Sequence, residues 1–149
     1  MPALAQPAKR LKPETIRAGD FVYCRSKRYR DSLQLPQEPG VVIEIKRASH
    51  KVLYASDRRA WVPREALVRM APPADSSEFL LMLNHLLRRV DAHECEILTT
   101  DSVHHVSAQI DRIDHVTFDE LREYLGSRFI SITVVPVGMA FMQVEIVFR

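Results

Sequence analysis

Four short apolar runs alternate with polar turn chemistry in the first half of the chain: Phe21–Cys24, Val41–Ile45, Val52–Ala55 and Ala60–Val62. Runs of that length with such punctuation predict strands. Pro63 ends the fourth, because proline cannot donate to a ladder. Ala18-Gly19-Asp20 launches the first strand, and Ala48-Ser49-His50 and Asp57-Arg58-Arg59 supply turns. Alternation places Val52 and Tyr54 on one face and Leu53 and Ala55 on the other. Arg64–Ala66 fits a single 3₁₀ turn leading into a fifth strand, Leu67–Met70. The connection Arg25–Gly40 is long for a hairpin, basic in its first half (RSKRYR) and proline-bounded in its second (LQLPQEPG). Loops of that length are commonly functional. The stretch 16–70 therefore predicts a small, strongly bent antiparallel β-barrel.

The pattern changes at Ala71-Pro72-Pro73-Ala74, which reads as a linker. Asp75-Ser76-Ser77-Glu78 then has the form of a capping box, with Asp75 or a following Ser as N-cap and Glu78 reaching back, opening a helix that runs to about Val90. Apolar residues from Phe79 to Val90 spread wider than one stripe, so this helix must bury more than one face. Its second contact is either the barrel or another subunit. Glu94–Thr100 and Val103–Ile110 alternate around Thr100-Asp101-Ser102 and predict a hairpin. Thr117–Glu120 suggests a second capping box, with Val116 and Leu121 as a staple, and Gly126 ends that helix after Leu125. Phe129–Val135 and Met139–Phe148 predict a last hairpin around Pro136-Val137-Gly138. The fold class is α+β: the barrel, then an α-β-β-α-β-β two-layer sandwich over 75–149, two helices on a four-stranded antiparallel sheet.

Charge sharpens this division. Residues 1–74 hold 15 of the 21 Lys and Arg and 7 of the 19 Asp and Glu, a net +8, and residues 75–149 hold the other 6 and 12, a net −6. Every lysine lies in the first half. A basic domain attracts polyanions, whereas an acidic one does not. Residues 1–15, with Lys9, Arg10, Lys12 and three prolines, read as a mobile basic tail. The chain has no apolar run of membrane-span length, and its first residues lack the apolar core of a signal peptide. A soluble protein, cytoplasmic or virion-associated, is expected. Cys24 and Cys95 fall in different halves and read as buried thiols rather than as a disulfide.

The sequence GDFVYC, the long first loop, GVVIEI, KVLYAS, the short AWVP strand and REALV at the closing turn resemble the SH3-like small barrels, including Tudor-type and KOW-type modules. Similar short barrels are frequent among proteins of tailed bacteriophages. The resemblance covers about a third of the chain. It implies a binding module for DNA, RNA, peptide or its own subunits, and does not choose among them.

Several constellations bear on that choice. Arg25, Lys27, Arg28, Tyr29 and Arg30 lie in the long loop, Lys46, Arg47 and Lys51 flank one turn with His50, and Arg58 and Arg59 form the next. Gathered on one rim, with Tyr29, Tyr54 and Trp61 as stacking rings, they would suit phosphates and bases. An aromatic cage from Tyr23, Tyr54, Trp61 and Asp57 is disfavoured, since basic surroundings repel a methylated cation. His93, Cys95, His104, His105 and His115 suggest a metal set, but adjacent His104 and His105 point to opposite strand faces. Cys95 beside a histidine lacks a glycine-rich elbow or an orienting acid. Only four glycines occur, so phosphate-cradling loops are absent.

No enzyme, metal, cofactor or small-molecule substrate is therefore expected. The last hairpin carries apolar residues on both faces, and Phe79, Met82, Val135, Phe141 and Val147 mark an expected interface. The combined reading is a non-enzymatic two-domain binding or assembly protein, with a basic barrel and an oligomerisation or docking domain, in the manner of a phage virion or assembly component. The alternative is a nucleic-acid-binding accessory protein using the basic rim.

Overall fold

The computed structural model describes residues 15–90, 92–112 and 114–149. The expected basic tail, with Lys9, Arg10 and Lys12, lies outside the described residues except for Thr15. Among the described residues, nine strands form two antiparallel sheets accompanied by three α-helices. None of the described helices is long and apolar enough to cross a membrane.

The first sheet contains β1 (Phe21–Cys24), β2 (Gly40–Lys46), β3 (Ser49–Leu53), β4 (Arg59–Pro63) and β5 (Leu67–Met70), in the order β4-β3-β2-β1-β5. The expected closed barrel is not formed: β4 and β5 are the two edges, with no ladder between them. The sheet is nevertheless strongly curled. Only the 3₁₀ turn Arg64–Ala66 carries the chain from one edge to the other, and such a link spans at most about 14 Å. The edges of a flat five-stranded sheet would lie ~19 Å apart. The β2–β3 turn is also tighter than expected, because β3 already begins at Ser49.

The long connection is not a plain loop. It contains α1 (Lys27–Leu33), capped by Ser26, whose Oγ accepts from the Tyr29 amide at 3.3 Å. Tyr29 and Leu33, one turn apart, pack onto the sheet. The helix ends at Gln34, which takes up a left-handed conformation.

The second sheet contains β6 (Cys95–Thr100), β7 (Val103–Ile110), β8 (Phe129–Val137) and β9 (Phe141–Phe148), in the order β6-β7-β9-β8. Asp101 and Ser102, both at positive φ, close the β6–β7 hairpin, as a two-residue turn matched to strand twist requires. Pro136 lies within β8 rather than in the turn, and an edge strand tolerates it. Two helices accompany this sheet, α2 (Glu78–Val90) and α3 (His115–Leu125). Neither capping box forms as expected. Ser77 caps α2, its Oγ accepting from the Leu80 amide at 3.2 Å. Glu78, now the first helical residue, pairs with Arg128 instead. Asp114 caps α3, its carboxylate accepting from the Thr117 amide at 2.8 Å. An ionised acceptor is a strong cap, so the helix starts ahead of Thr117. The Thr117 hydrogen bonds hold the Asp114 carboxyl below its ordinary range.

The width of α2 is explained by its position between the sheets. Phe21, Val41, Ile43 and Leu53 from the first sheet share one core with Leu80, Leu83, Leu86 and Leu87 of α2 and with Val106, Ile110, Val144 and Ile146 of the second. Leu121 and Leu125 of α3 join it. A second core, including Val22, Val42, Val52, Tyr54 and Val62, fills the opposite side of the first sheet. Burial on both faces accounts for the unbroken apolar run of β2. Residues 71–74 mark where strands give way to helix, but packing crosses that boundary.

Backbone and charge contacts pin α2 to β1. Asn84 Nδ2 donates to the Gly19 carbonyl at 2.6 Å. Asp20 is buried, accepts from the Arg17 amide at 2.8 Å, and lies 3.5 Å from Arg69 and 3.6 Å from Arg88 of α2. Gly19 has φ +94°, and a Cβ there would meet Leu87 Cβ at 2.9 Å and the Arg88 amide nitrogen at 3.0 Å.

Gly19→Ala is therefore expected to lower the unfolding free energy by roughly 2–4 kcal/mol, combining left-handed strain with overpacking against backbone. Gly138→Ala, with nothing within 4 Å of its added Cβ, should cost only about 1 kcal/mol. Guanidinium denaturation checks both. The shared core further predicts one cooperative transition for the whole chain.

Candidate functional site

The curled sheet does not gather the basic residues on one rim. Val41 pairs with Leu53, which pairs with Arg59, while Lys46 pairs with Ser49. Arg58 and α1 thus share one end of the sheet, and Lys46 and Arg47 occupy the other, about 17 Å away along a strand.

At the α1 end, part of the charge is structural. Arg30 Nη1 donates to the Cys24 carbonyl at 2.7 Å and its guanidinium lies 5.6 Å from the Tyr23 ring centre. Arg58 donates to the Leu33 carbonyl, tying down the end of α1. Lys27 pairs with Asp31 at 3.4 Å, both exposed. Arg25, Lys27 and Arg28 face solvent, whereas Tyr29 leans into the second core. Tyr54 is 2% exposed. Burial pushes its phenol up to about 12, aided by Cys24 and Glu38 and opposed by Arg58. It is a core ring, not a stacking surface.

Trp61 is the ring that remains accessible. It lies half-buried on β4, with Lys46 Nζ 4.9 Å and Lys51 Nζ 5.9 Å from its centroid. Arg59, two residues before it on the same strand face, donates to the Ile97 carbonyl of β6 at 2.9 Å. That bond joins the edges of the two sheets.

Beside this junction lies an open cleft of ≈ 510 Å³. One wall carries Lys51 and Arg59 of the first sheet, and the other carries Glu96, Ser107 and Glu145 of the second. Glu96 pairs with Ser107 across β6–β7, and Ser107 with Glu145 across β7–β9, so the three form one cross-strand row. His105 Nδ1 lies 4.0 Å from Glu145. The spacing of the sequence gives no sign of this cleft, because its walls meet only when the two sheets pack. The one legible hint is the alternation that puts Glu96 on the solvent face of β6.

The face of the second sheet turned away from α2 also carries apolar residues. Val135 is 52% exposed, Val137 43% and Phe141 44%, and Met139 at the hairpin tip is fully exposed. Val147 shares that face but is buried, and Met82 is a core residue whose sulfur accepts from Arg128 at 3.5 Å. Phe79 is partly buried and stacks on His104 at 4.2 Å. Of the expected interface set, Val135 and Phe141 are therefore the surface members.

The histidines are dispersed. His104 lies between Phe79 and Phe148, and its Nδ1 is 2.9 Å from Thr99 Oγ1. His85 stacks on Tyr124 at 3.9 Å. Cys95 points into the core, where burial pushes its thiol up to about 12. Such a thiol is a poor nucleophile at neutral pH. Among the described residues, no three His, Cys, Asp or Glu side chains converge as metal ligands.

No family model, curated protein or solved structure matches the chain.

Burial lowers the affinity of both His85 and His104 for protons, and nearby Arg89 adds to the effect at His85. Above about pH 6.5 both are neutral whether the chain is folded or unfolded. Below it the unfolded chain takes up protons first, so their contribution to stability is lost as pH falls through the folded values. Melting temperature should therefore decline as pH falls below about 6.5. His104→Gln and His85→Gln should each flatten that slope in scanning calorimetry.

Proposed function

We propose that this chain is a non-enzymatic binding and assembly protein that associates with a second copy of itself through the β8–β9 hairpin. The observation carrying this reading is the adjacent exposure of Val135, Val137, Met139 and Phe141 on one hairpin. Full withdrawal of such a side chain from water contributes about 1.5–3 kcal/mol, of which Val135, Val137 and Phe141, already about half covered, can still gain a part. On that face of the hairpin Ser131, Thr133 and Gln143 are uncharged, and Glu145 carries the one charge. Two copies can thus meet there with less repulsion than the rest of the acidic half would impose. A two-fold contact needs only one self-complementary patch, and an apolar patch meets that requirement.

The resemblance of residues 16–70 to SH3-like barrels of tailed phages favours a virion or assembly role for such a dimer. A second reading, polyanion binding, draws on the exposed cations Arg25, Lys27 and Arg28 at the α1 end. There these exposed cations, Lys27 with Asp31 beside it, would meet phosphates rather than Tyr54 or Arg30.

Light scattering after size-exclusion chromatography at tens of micromolar should give a dimer or larger for the wild type. Phe141→Lys should weaken association at least ~100-fold, since two buried rings are lost per two-fold contact, with an unchanged circular dichroism spectrum. A monomeric wild-type protein overturns the proposal.

A further inference from the structure

The cleft between the sheets presents opposite charges that do not meet. Lys51 and Glu96, on opposing walls, make no ion pair among the described residues. Lys51 lies 5.9 Å from the Trp61 ring centre and opposite Glu44 across β2–β3, without an ion pair to it among the described residues. Arg59 is only partly engaged, by the Ile97 carbonyl and by Asp57 at 3.6 Å. On the acidic wall, His105 approaches Glu145, leaving Glu96 as the unmatched anion. Had these walls been complementary to each other, the side chains would close directly into salt bridges. Instead they are held apart across ≈ 510 Å³, a volume typical of small-ligand sites.

We propose that this cleft binds a small zwitterion, of the class of free amino acids and short peptides. The ligand carboxylate faces Lys51 and Arg59, and its ammonium faces Glu96 and Glu145, with the Ser107 hydroxyl between the two acids. The charge pattern selects against other classes. A phosphate-bearing ligand gains from Lys51 but meets two carboxylates, and a simple cation gains from Glu96 but meets Lys51 and Arg59. Only a molecule carrying both signs leaves neither wall unmatched, which is how unpaired groups generate specificity. The exposed Leu98 side chain lines the same cleft and provides apolar contact for the body of the ligand. Glu145 shares the face of β9 that carries the hairpin patch, but Lys51, Arg59 and Glu96 lie on other strands, so Lys51→Met and Glu96→Gln report on the cleft whether or not the chain self-associates.

The test is a titration of the isotope-labelled full chain, followed by amide NMR, with L-alanyl-L-alanine and two capped forms. One is N-acetylated and lacks the ammonium, and the other is a C-terminal amide and lacks the carboxylate. Saturable shifts confined to residues around Lys51, Glu96 and Ser107 are expected with the zwitterion. Each capped form should bind at least ~10-fold more weakly, the loss of one charge-assisted hydrogen bond. Lys51→Met and Glu96→Gln, both surface changes that leave the remaining spectrum intact, should each weaken the zwitterion to a similar degree. The proposal is overturned by the absence of saturable shifts at tens of millimolar, or by capped and uncapped forms shifting the same residues equally.

Discussion

The architecture depends on one helix having two sheets to cover. A helix with a single apolar stripe can serve one layer, but α2 carries buried leucines around much of its circumference, so both sheets lose exposed surface against the same thirteen residues. The Gly19–Asp20 turn fixes the distance of approach. Gly19 permits backbone contact with α2, and Asp20 places a buried carboxylate between arginines from β5 and α2. Removing that carboxylate takes away the acceptor of the Arg17 amide and the counter-charge beside two partly exposed arginines, which makes the position costly to lose. The charged cleft follows from this arrangement, because it exists only where the sheet edges are drawn together.

Charge is organised at two scales. Along the chain, basic and acidic residues are segregated, and in the fold the two populations come face to face across the sheet junction. Some of the contact is consumed internally, as by Arg59 on the Ile97 carbonyl. The remainder, around Lys51 and Glu96, stays open to solvent. Net charge alone pointed to polyanions, but placement splits the cations between two ends and puts carboxylates beside several of them.

Much of the fold was legible in the residues. Strong alternation located β7 and the β8–β9 hairpin, and the breadth of apolar positions in α2 already required a second contact surface. The helix α1 was hidden because seven residues give too short a period to detect, and the basic residues drew attention away from the Ser26 cap and the Tyr29–Leu33 pair. At α2 a serine caps as expected but Glu78 turns to Arg128 instead of back to the cap, and at α3 the cap moves to Asp114, because local sequence does not decide which amide reaches which oxygen. Openness of the first sheet was not legible either, since pairing between its edges depends on how far three connector residues can bend it. The cleft was invisible for a different reason: Lys51 and Glu96 are far apart in sequence, and only tertiary packing opposes them.

The placement of α2 also bears on synthesis. A nascent chain leaves the ribosome from its N-terminus, so the strands β1 to β5 emerge before the helix that covers them. During that interval Phe21, Val41, Ile43 and Leu53 form an uncovered apolar face on a sheet already able to pair. Because the exit tunnel encloses the most recently made residues, translation must run well past Val90 before that face can be shielded from within. A pause while the strands are outside and α2 is still in the tunnel would therefore hold the chain at its most chaperone-dependent stage.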